Sequence, residues 1–228
     1  MFRNLLPSLV ILALAIGGGV VWMQSKTGPD PLLADLKTIS EIEEVVDVQA
    51  SEGVEVIEMT FGDDSAPITI VEYASFTCPH CATYHNGVLP KLKAEYVETG
   101  KVKFVVRDIY FDPVGLWAAM VARCDGAEKF FGMSDLIYSR QKEWTKGGDN
   151  SVRIQNLRKL GLLAGMTNAQ LDVCLADQAK AEALVAEYQK NATTDEIDST
   201  PSFMINGKKY SNMSFVDFKV VLDELLAE

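Results

Sequence analysis

The sequence predicts an α/β domain interrupted by an all-helical segment, and three observations lead there. Residues 68–74, 82–98 and 101–111 read strand, helix, strand, an order that makes a right-handed parallel crossover. From Pro113 to about Ala192 the apolar residues fall at helical spacing, with no convincing strand. The chain then returns to strand patterning, with short runs on either side of Asn206-Gly207, and ends in a helix capped by Ser214.

The first stretch is of another kind. Met1 to Asn4 carries the amino terminus and Arg3, and Leu5 to Met23 is apolar without a charge. That is an export leader in form, and its length is also close to a bilayer span, with Trp22 placed as an interfacial residue. Residues 1–23 are therefore read as either a signal peptide or an N-terminal membrane anchor. Both readings put the rest of the chain outside the cytoplasm, where disulfide chemistry persists. Residues 24–53 hold a Gly/Pro linker followed by an amphipathic helix from Leu32 to Val46, which packs back on the domain or mediates self-association.

The remaining residues divide into an α/β part, 54–112 plus 193–228, and a helical insertion, 113–192. Val54 to Phe61 alternates as a strand, and residues 62–67 form a turn. Ile68 to Ala74 is nearly continuously apolar, as a strand covered on both faces would be. After it a helix over 82–98 contains Pro90, which removes one hydrogen bond and predicts a kink. The insertion reads as four or five helices, one opened by the capping box Thr167-Asn168-Ala169-Gln170. A net charge of −11 offers no basic patch to displace counterions, which argues against nucleic acid.

Between the strand at 68–74 and the following helix stand Cys78-Pro79-His80-Cys81. A strand that delivers two cysteines to the first turn of a helix suits thiol–disulfide exchange. Two intervening residues let the sulfurs close a small ring, and the helix start supplies free N–H groups and partial positive charge. Cys78 is then the nucleophile and Cys81 its resolving partner. Zinc needs four ligands, and only His80, His85, Cys124 and Cys174 remain to complete a set, none at ligand spacing. Covalent haem attachment needs His after the second cysteine, where Ala82 stands. An inert structural disulfide and a copper(I) site on the two thiolates are the other readings.

Glu72 interrupts the apolar strand six residues before Cys78. A carboxylate there is costly unless paired, hydrated or protonated, and it suits a proton acceptor for Cys81; an exposed residue near the end of an edge strand is the plainer reading. Cys124 and Cys174 both belong to the helical segment. In an oxidising compartment they pair across a loop of about fifty residues, a bridge contributing roughly 4 kcal/mol in the chain-entropy model; otherwise they are buried free thiols.

The run from Glu72 to Cys81 resembles the active site of the DsbA family within the thioredoxin fold, and Thr200-Pro201-Ser202-Phe203 resembles that family's cis-proline loop. The resemblance covers about residues 54–228. It implies a thioredoxin-like fold with an inserted all-helical subdomain and catalysis of disulfide formation in exported proteins. It further implies no bound cofactor or metal, and reoxidation by a quinone-linked membrane partner of the DsbB type. Pro79-His80 is its most specific marker. His80 and the helix start stabilise the Cys78 anion, moving its pKa into the range roughly 3.5–7.5. Pro201, if cis, exposes backbone groups that hold an extended substrate beside Cys78. The Thr200 hydroxyl reaches the Cys78 sulfur and can tune the potential either way, so a disulfide isomerase or reductase is the alternative within the enzyme class.

Overall fold

The computed structural model describes residues 53–228. The leader at 1–23 and the amphipathic segment 32–46 lie outside the described residues. Within them no helix is long and apolar enough to cross a membrane.

Five strands form one sheet, β1 (Met59–Phe61), β2 (Ile68–Ala74), β3 (Val102–Asp108), β4 (Ser202–Ile205) and β5 (Lys208–Ser211), in the order β1-β3-β2-β4-β5. β2 and β3 run parallel, as the crossover order requires, and the other neighbours are antiparallel. β2 is central, and its Ile68, Ile70, Tyr73 and Ala74 are essentially inaccessible. The first strand is shorter than the alternation from Val54 suggests. Met59 pairs with Val106, and β3 ends at Asp108, so residues before 57 have no strand left to pair with. β3 stops short of Phe111 because Asp112 and Pro113 open the next helix. Asn206 (φ 46°) and Gly207 (φ 81°) make the tight turn from β4 to β5 that Asn-Gly favours.

The crossover helix begins at Pro79 rather than Ala82: α1 (Pro79–Gly87) carries proline in its first turn, where a missing N–H costs nothing. Pro90 breaks the run as expected. α2 (Leu89–Leu92) is one turn, followed by a π-helical turn over Lys93–Val97.

The insertion contains six helices rather than four or five: α3 (Pro113–Arg123), α4 (Ala127–Ser139), α5 (Gln141–Trp144), α6 (Asn150–Leu163), α7 (Asn168–Leu175) and α8 (Gln178–Thr194). The extra one is the single turn α5, set off by Arg140 (φ −106°, ψ 17°) and too short to show a period in sequence. α8 runs two residues past the expected boundary at 192. The capping box at Thr167 and Gln170 is present, and a second joins Ser214 to Asp217 at the start of α9 (Phe215–Ala227). α9 packs Phe218 against Phe203 of β4, ring centroids 4.9 Å apart, and Phe203 lies 4.8 Å from Tyr84 of α1. That aromatic cluster braces α1 from below.

The insertion is fastened to the sheet by an ion pair. Asp108, the last residue of β3, meets Arg123 of α3 at 2.6 Å, with both side chains over 90% buried. Burial pushes the Asp108 carboxyl up while Arg123 opposes the shift. Removing one partner strands the other charge out of water, whereas removing both is far less costly. Arg123→Met leaves only Tyr110 Oη, 3.3 Å away, to serve Asp108. It is expected to cost about 3–5 kcal/mol, and Asp108→Leu with Arg123→Met to recover most of that, read from urea midpoints. A loss under about 1 kcal/mol for the single variant, as for an exposed pair, contradicts this account.

Candidate active site

After β2 the chain turns through Ser75-Phe76-Thr77 and enters α1 with Cys78 as the N-cap residue. The Cys78 amide donates to the Ser75 carbonyl at 3.1 Å, which closes the turn. Two side chains from the far side of the crossover hold it. Asp112 caps α3 by accepting from the Gly115 amide at 2.9 Å, and its other oxygen accepts from Thr77 Oγ1 at 3.0 Å. Gln141 of α5 donates both hydrogens of its amide nitrogen, to the carbonyls of Phe76 at 2.8 Å and Cys78 at 2.9 Å. The insertion thus fixes the backbone on which the first cysteine stands.

The two thiols are unequal. Cys78 is half-buried at the helix mouth and Cys81 is fully buried, both as free thiols. Hydrogen bonding from the Cys81 thiol, above all, holds the Cys78 pKa down to about 5, against burial. The Thr200 hydroxyl and the backbone amides of Cys81 and His80 add to it. Cys81 is driven the other way, first by giving its hydrogen to Cys78, then by burial and by the charge of Glu72. A sulfur that accepts from several donors becomes an anion, and the one that donates stays a thiol.

Thr200 meets Cys78 in two opposed ways. Its carbonyl oxygen lies 3.5 Å from Cys78 Sγ, placed to accept from the protonated thiol, while its hydroxyl favours the thiolate. The hydroxyl outweighs the carbonyl, because the S···O contact is long and a thiol is a weak donor. The Thr200–Pro201 peptide bond is cis, and Pro201 is buried beside β4.

Glu72 lies at the centre of the sheet, between Val106 of β3 and Phe203 of β4, with no exposed surface. The edge-strand alternative is therefore excluded. Its carboxylate meets His85 Nε2 of α1, 3.1 Å from each oxygen, and the imidazole stacks on Tyr138 of α4 with centroids 3.9 Å apart. His85 stands one helical turn after Cys81 on the same face, so carboxylate, imidazole and buried thiol share one side of α1.

Sequence reasoning gathers Cys78, Pro79, His80, Cys81, Glu72, Thr200 and Pro201, and all lie on β2, the turn, α1 and the loop before β4. Pro79 and His80 are exposed. The His80 backbone amide is one of the groups that lower the Cys78 pKa. Cys124 and Cys174 are bonded, with Cα atoms 5.6 Å apart, and tie the end of α3 to α7. His85, Gln141, Asp112 and Tyr138 were missed. The spacing from Cys81 to His85 carried little signal without Glu72 known to face it, and Gln141 and Tyr138 arrive from a distant segment with no local mark.

The thiolate links redox state to stability. A Cys78 pKa depressed in the folded protein gives stability that is fully present above the unfolded pKa and is lost as pH falls through the folded value. The bonded form has no such group. The stability of the reduced form relative to the oxidised form is therefore expected to climb between pH 5 and 9 and to level off below 5. Parallel urea titrations of the two forms check this, and a difference that does not change with pH contradicts it.

Comparison with known proteins agrees with this geometry. The thioredoxin family model matches residues 55–224. A Rickettsia bellii protein named as a protein-disulfide oxidoreductase is 33% identical over 172 residues, covering 75% of this chain and 65% of the relative, so the chain spans less than two thirds of that protein's length. Disulfide bond formation protein D of Bacillus subtilis is 24% identical over 178 residues, covering 73% of this chain and 75% of the relative. The crystal structure of Wolbachia pipientis alpha-DsbA1 superposes with a TM-score of 0.69 at 27% identity, covering 75% of this chain and 92% of that one. With its mixed sheet, its inserted helices and its paired cysteines at the start of α1, the chain belongs to the thioredoxin family and, within it, to the DsbA-like proteins.

Proposed function

We propose that the protein is a thiol–disulfide oxidoreductase that introduces disulfides into exported proteins through Cys78 and Cys81. The observation that carries this reading is the Cys78 thiolate, its pKa held near 5 beside the cis-proline loop.

The chemistry follows from the inequality of the thiols. In the oxidised enzyme a client thiolate attacks Cys78 Sγ, a mixed disulfide forms and the Cys78–Cys81 bond breaks, releasing Cys81 as a thiolate. Cys81 is buried and strongly disfavours charge, so it takes up a proton. A second client thiolate then attacks the client sulfur of the mixed disulfide and expels Cys78. Two electrons have passed from client to enzyme; one proton ends on Cys81, and near neutral pH the other leaves for solvent because Cys78 remains ionised. A stable Cys78 anion is a good leaving group, and that pulls exchange toward the oxidised client.

Glu72 and His85 are the groups that move the Cys81 proton. They share a buried hydrogen-bonded contact under the same helix face, and Glu72 already repels charge on Cys81. Thr200 and Pro201 present the edge along which a client strand lies beside Cys78. The clients are exported proteins with reduced cysteines, the compartment is extracytoplasmic, and reoxidation falls to a quinone-linked membrane protein of the DsbB type. Cys124–Cys174 serves as a structural bridge within the insertion. The second reading, isomerase or reductase, rests on the Thr200 carbonyl, which lies 3.5 Å from Cys78 Sγ and favours the thiol over the thiolate.

Equilibration of Cys78/Cys81 with a glutathione buffer separates the oxidase from the reductase. The oxidase reading predicts a potential nearer to about −120 mV than to about −270 mV, the range spanned by strong oxidants and reductants of this chemistry. A value at the low end overturns it. His80→Ala is expected to make the enzyme less oxidising in the same titration; an unchanged potential leaves the effect to the backbone amides alone. Glu72→Gln and His85→Gln are each expected to slow oxidation of a reduced client by about tenfold or more while the fold persists. Unaltered turnover in both variants removes the proton-transfer role.

A further inference from the structure

A cleft of about 1040 Å³ begins at the active-site turn, at Thr77, Pro79 and His80, and runs between α1 and the α4–α5 junction. The lining holds no residue of the Thr200–Pro201 loop, so the cleft lies on a different flank of Cys78 from the one that loop occupies. Its two walls differ in charge. α1 contributes the uncharged Thr83 and Asn86, and the opposite wall carries Arg140, Lys142 and Arg153.

Those cations are poorly neutralised. Of the two acids that line the cleft, Asp112 has one oxygen engaged by the Gly115 amide and the other by Thr77 Oγ1. Glu143 sits 3.5 Å from Arg140, and both side chains are exposed, so water screens the pair. Arg153 donates to the carbonyls of Thr145 and Gly147, which orients its guanidinium without cancelling its charge. Neither Lys142 nor Arg153 meets a carboxylate among the described residues. In a chain of net charge −11, a cationic wall opening beside the reacting sulfur is a local reversal of sign. Such reversals set register and speed encounter with a complementary partner.

We infer that this cleft docks an extended, acidic stretch of the client polypeptide next to the cysteine that joins Cys78. The inference rests on the oxidoreductase reading and adds a preference to it. The cleft's Pro79 and His80 adjoin Cys78, so a client strand entering it is continuous with the one in the mixed disulfide. Gln141 lines the same cleft and holds the Phe76 and Cys78 carbonyls, so the docked segment lies against the turn that sets the nucleophile.

The test uses the full oxidised chain and two reduced peptides of equal length, each with one cysteine, flanked by aspartates in one and lysines in the other. Exchange rates are normalised to the rate of each peptide with oxidised 2-hydroxyethanethiol, a neutral disulfide, which removes the flanks' own effect on the thiol. The aspartate peptide is expected to react about fivefold faster at low salt, the size that exposed charge pairs support, and the advantage to shrink in 0.5 M salt. Arg140→Glu with Lys142→Glu, both on exposed side chains, is expected to reverse the ranking. Equal normalised rates for the unaltered chain, or the same ranking in the charge-reversed variant, overturn the inference while leaving the oxidoreductase reading in place. If the unaltered chain oxidises neither peptide, the oxidoreductase reading falls and the cleft's role falls with it.

Discussion

A hydrogen shared unequally between two sulfurs is the interaction on which the rest of this structure depends. Cys81 gives its hydrogen to Cys78, and that single direction makes one sulfur an anion and the other a thiol. The fold enforces the direction by depth. Cys78 caps α1, where free amides point outward, while Cys81 is one turn further in, where burial and the Glu72 charge disfavour a second anion. Had both thiols lain at the surface, the difference between them would be small. The central strand, the kinked crossover and the aromatic packing beneath α1 all serve to keep that step in depth.

The same logic accounts for a carboxylate in the middle of the sheet. An unpaired charge there would be expensive, and Glu72 is paired with a histidine rather than with a lysine or arginine. A histidine partner can both accept and donate at its ring nitrogens, whereas an arginine only donates. The stack of His85 on Tyr138 connects this pair to α4, and Gln141 and Asp112 tie the outer side of the turn to α5 and the start of α3. The helical insertion is therefore part of the active site's frame, and the buried Asp108–Arg123 pair is where that frame joins the sheet.

How much of this was legible in the sequence depended on whether the cause was local. The Cys-x-x-Cys turn, the Asn206-Gly207 hairpin, the Thr167 and Ser214 caps and the kink at Pro90 are all set by neighbours a few residues away, and each was readable. Glu72 was readable as an anomaly, since a charge in an apolar strand demands a reason. Its partner was hidden although close in sequence. His85 repeats the Cys81 position one turn later, but a lone histidine on a helix carries little signal until its opposite number is known. Gln141 lies in a single helical turn with no period, and its role exists only once the insertion folds over the turn at Phe76. The strand expected from Val54 failed for a related reason: its extent is decided by where β3 ends.

The account stands on how readily Cys78 ionises. Its most direct test is the rate at which reduced protein is alkylated by iodoacetamide at Cys78, followed from pH 3 to 10 with the modified residue identified by peptide mapping. The account predicts a rate that rises through a midpoint near pH 5 and is flat above it. A midpoint near about 8.5, that of an ordinary free thiol, would contradict it.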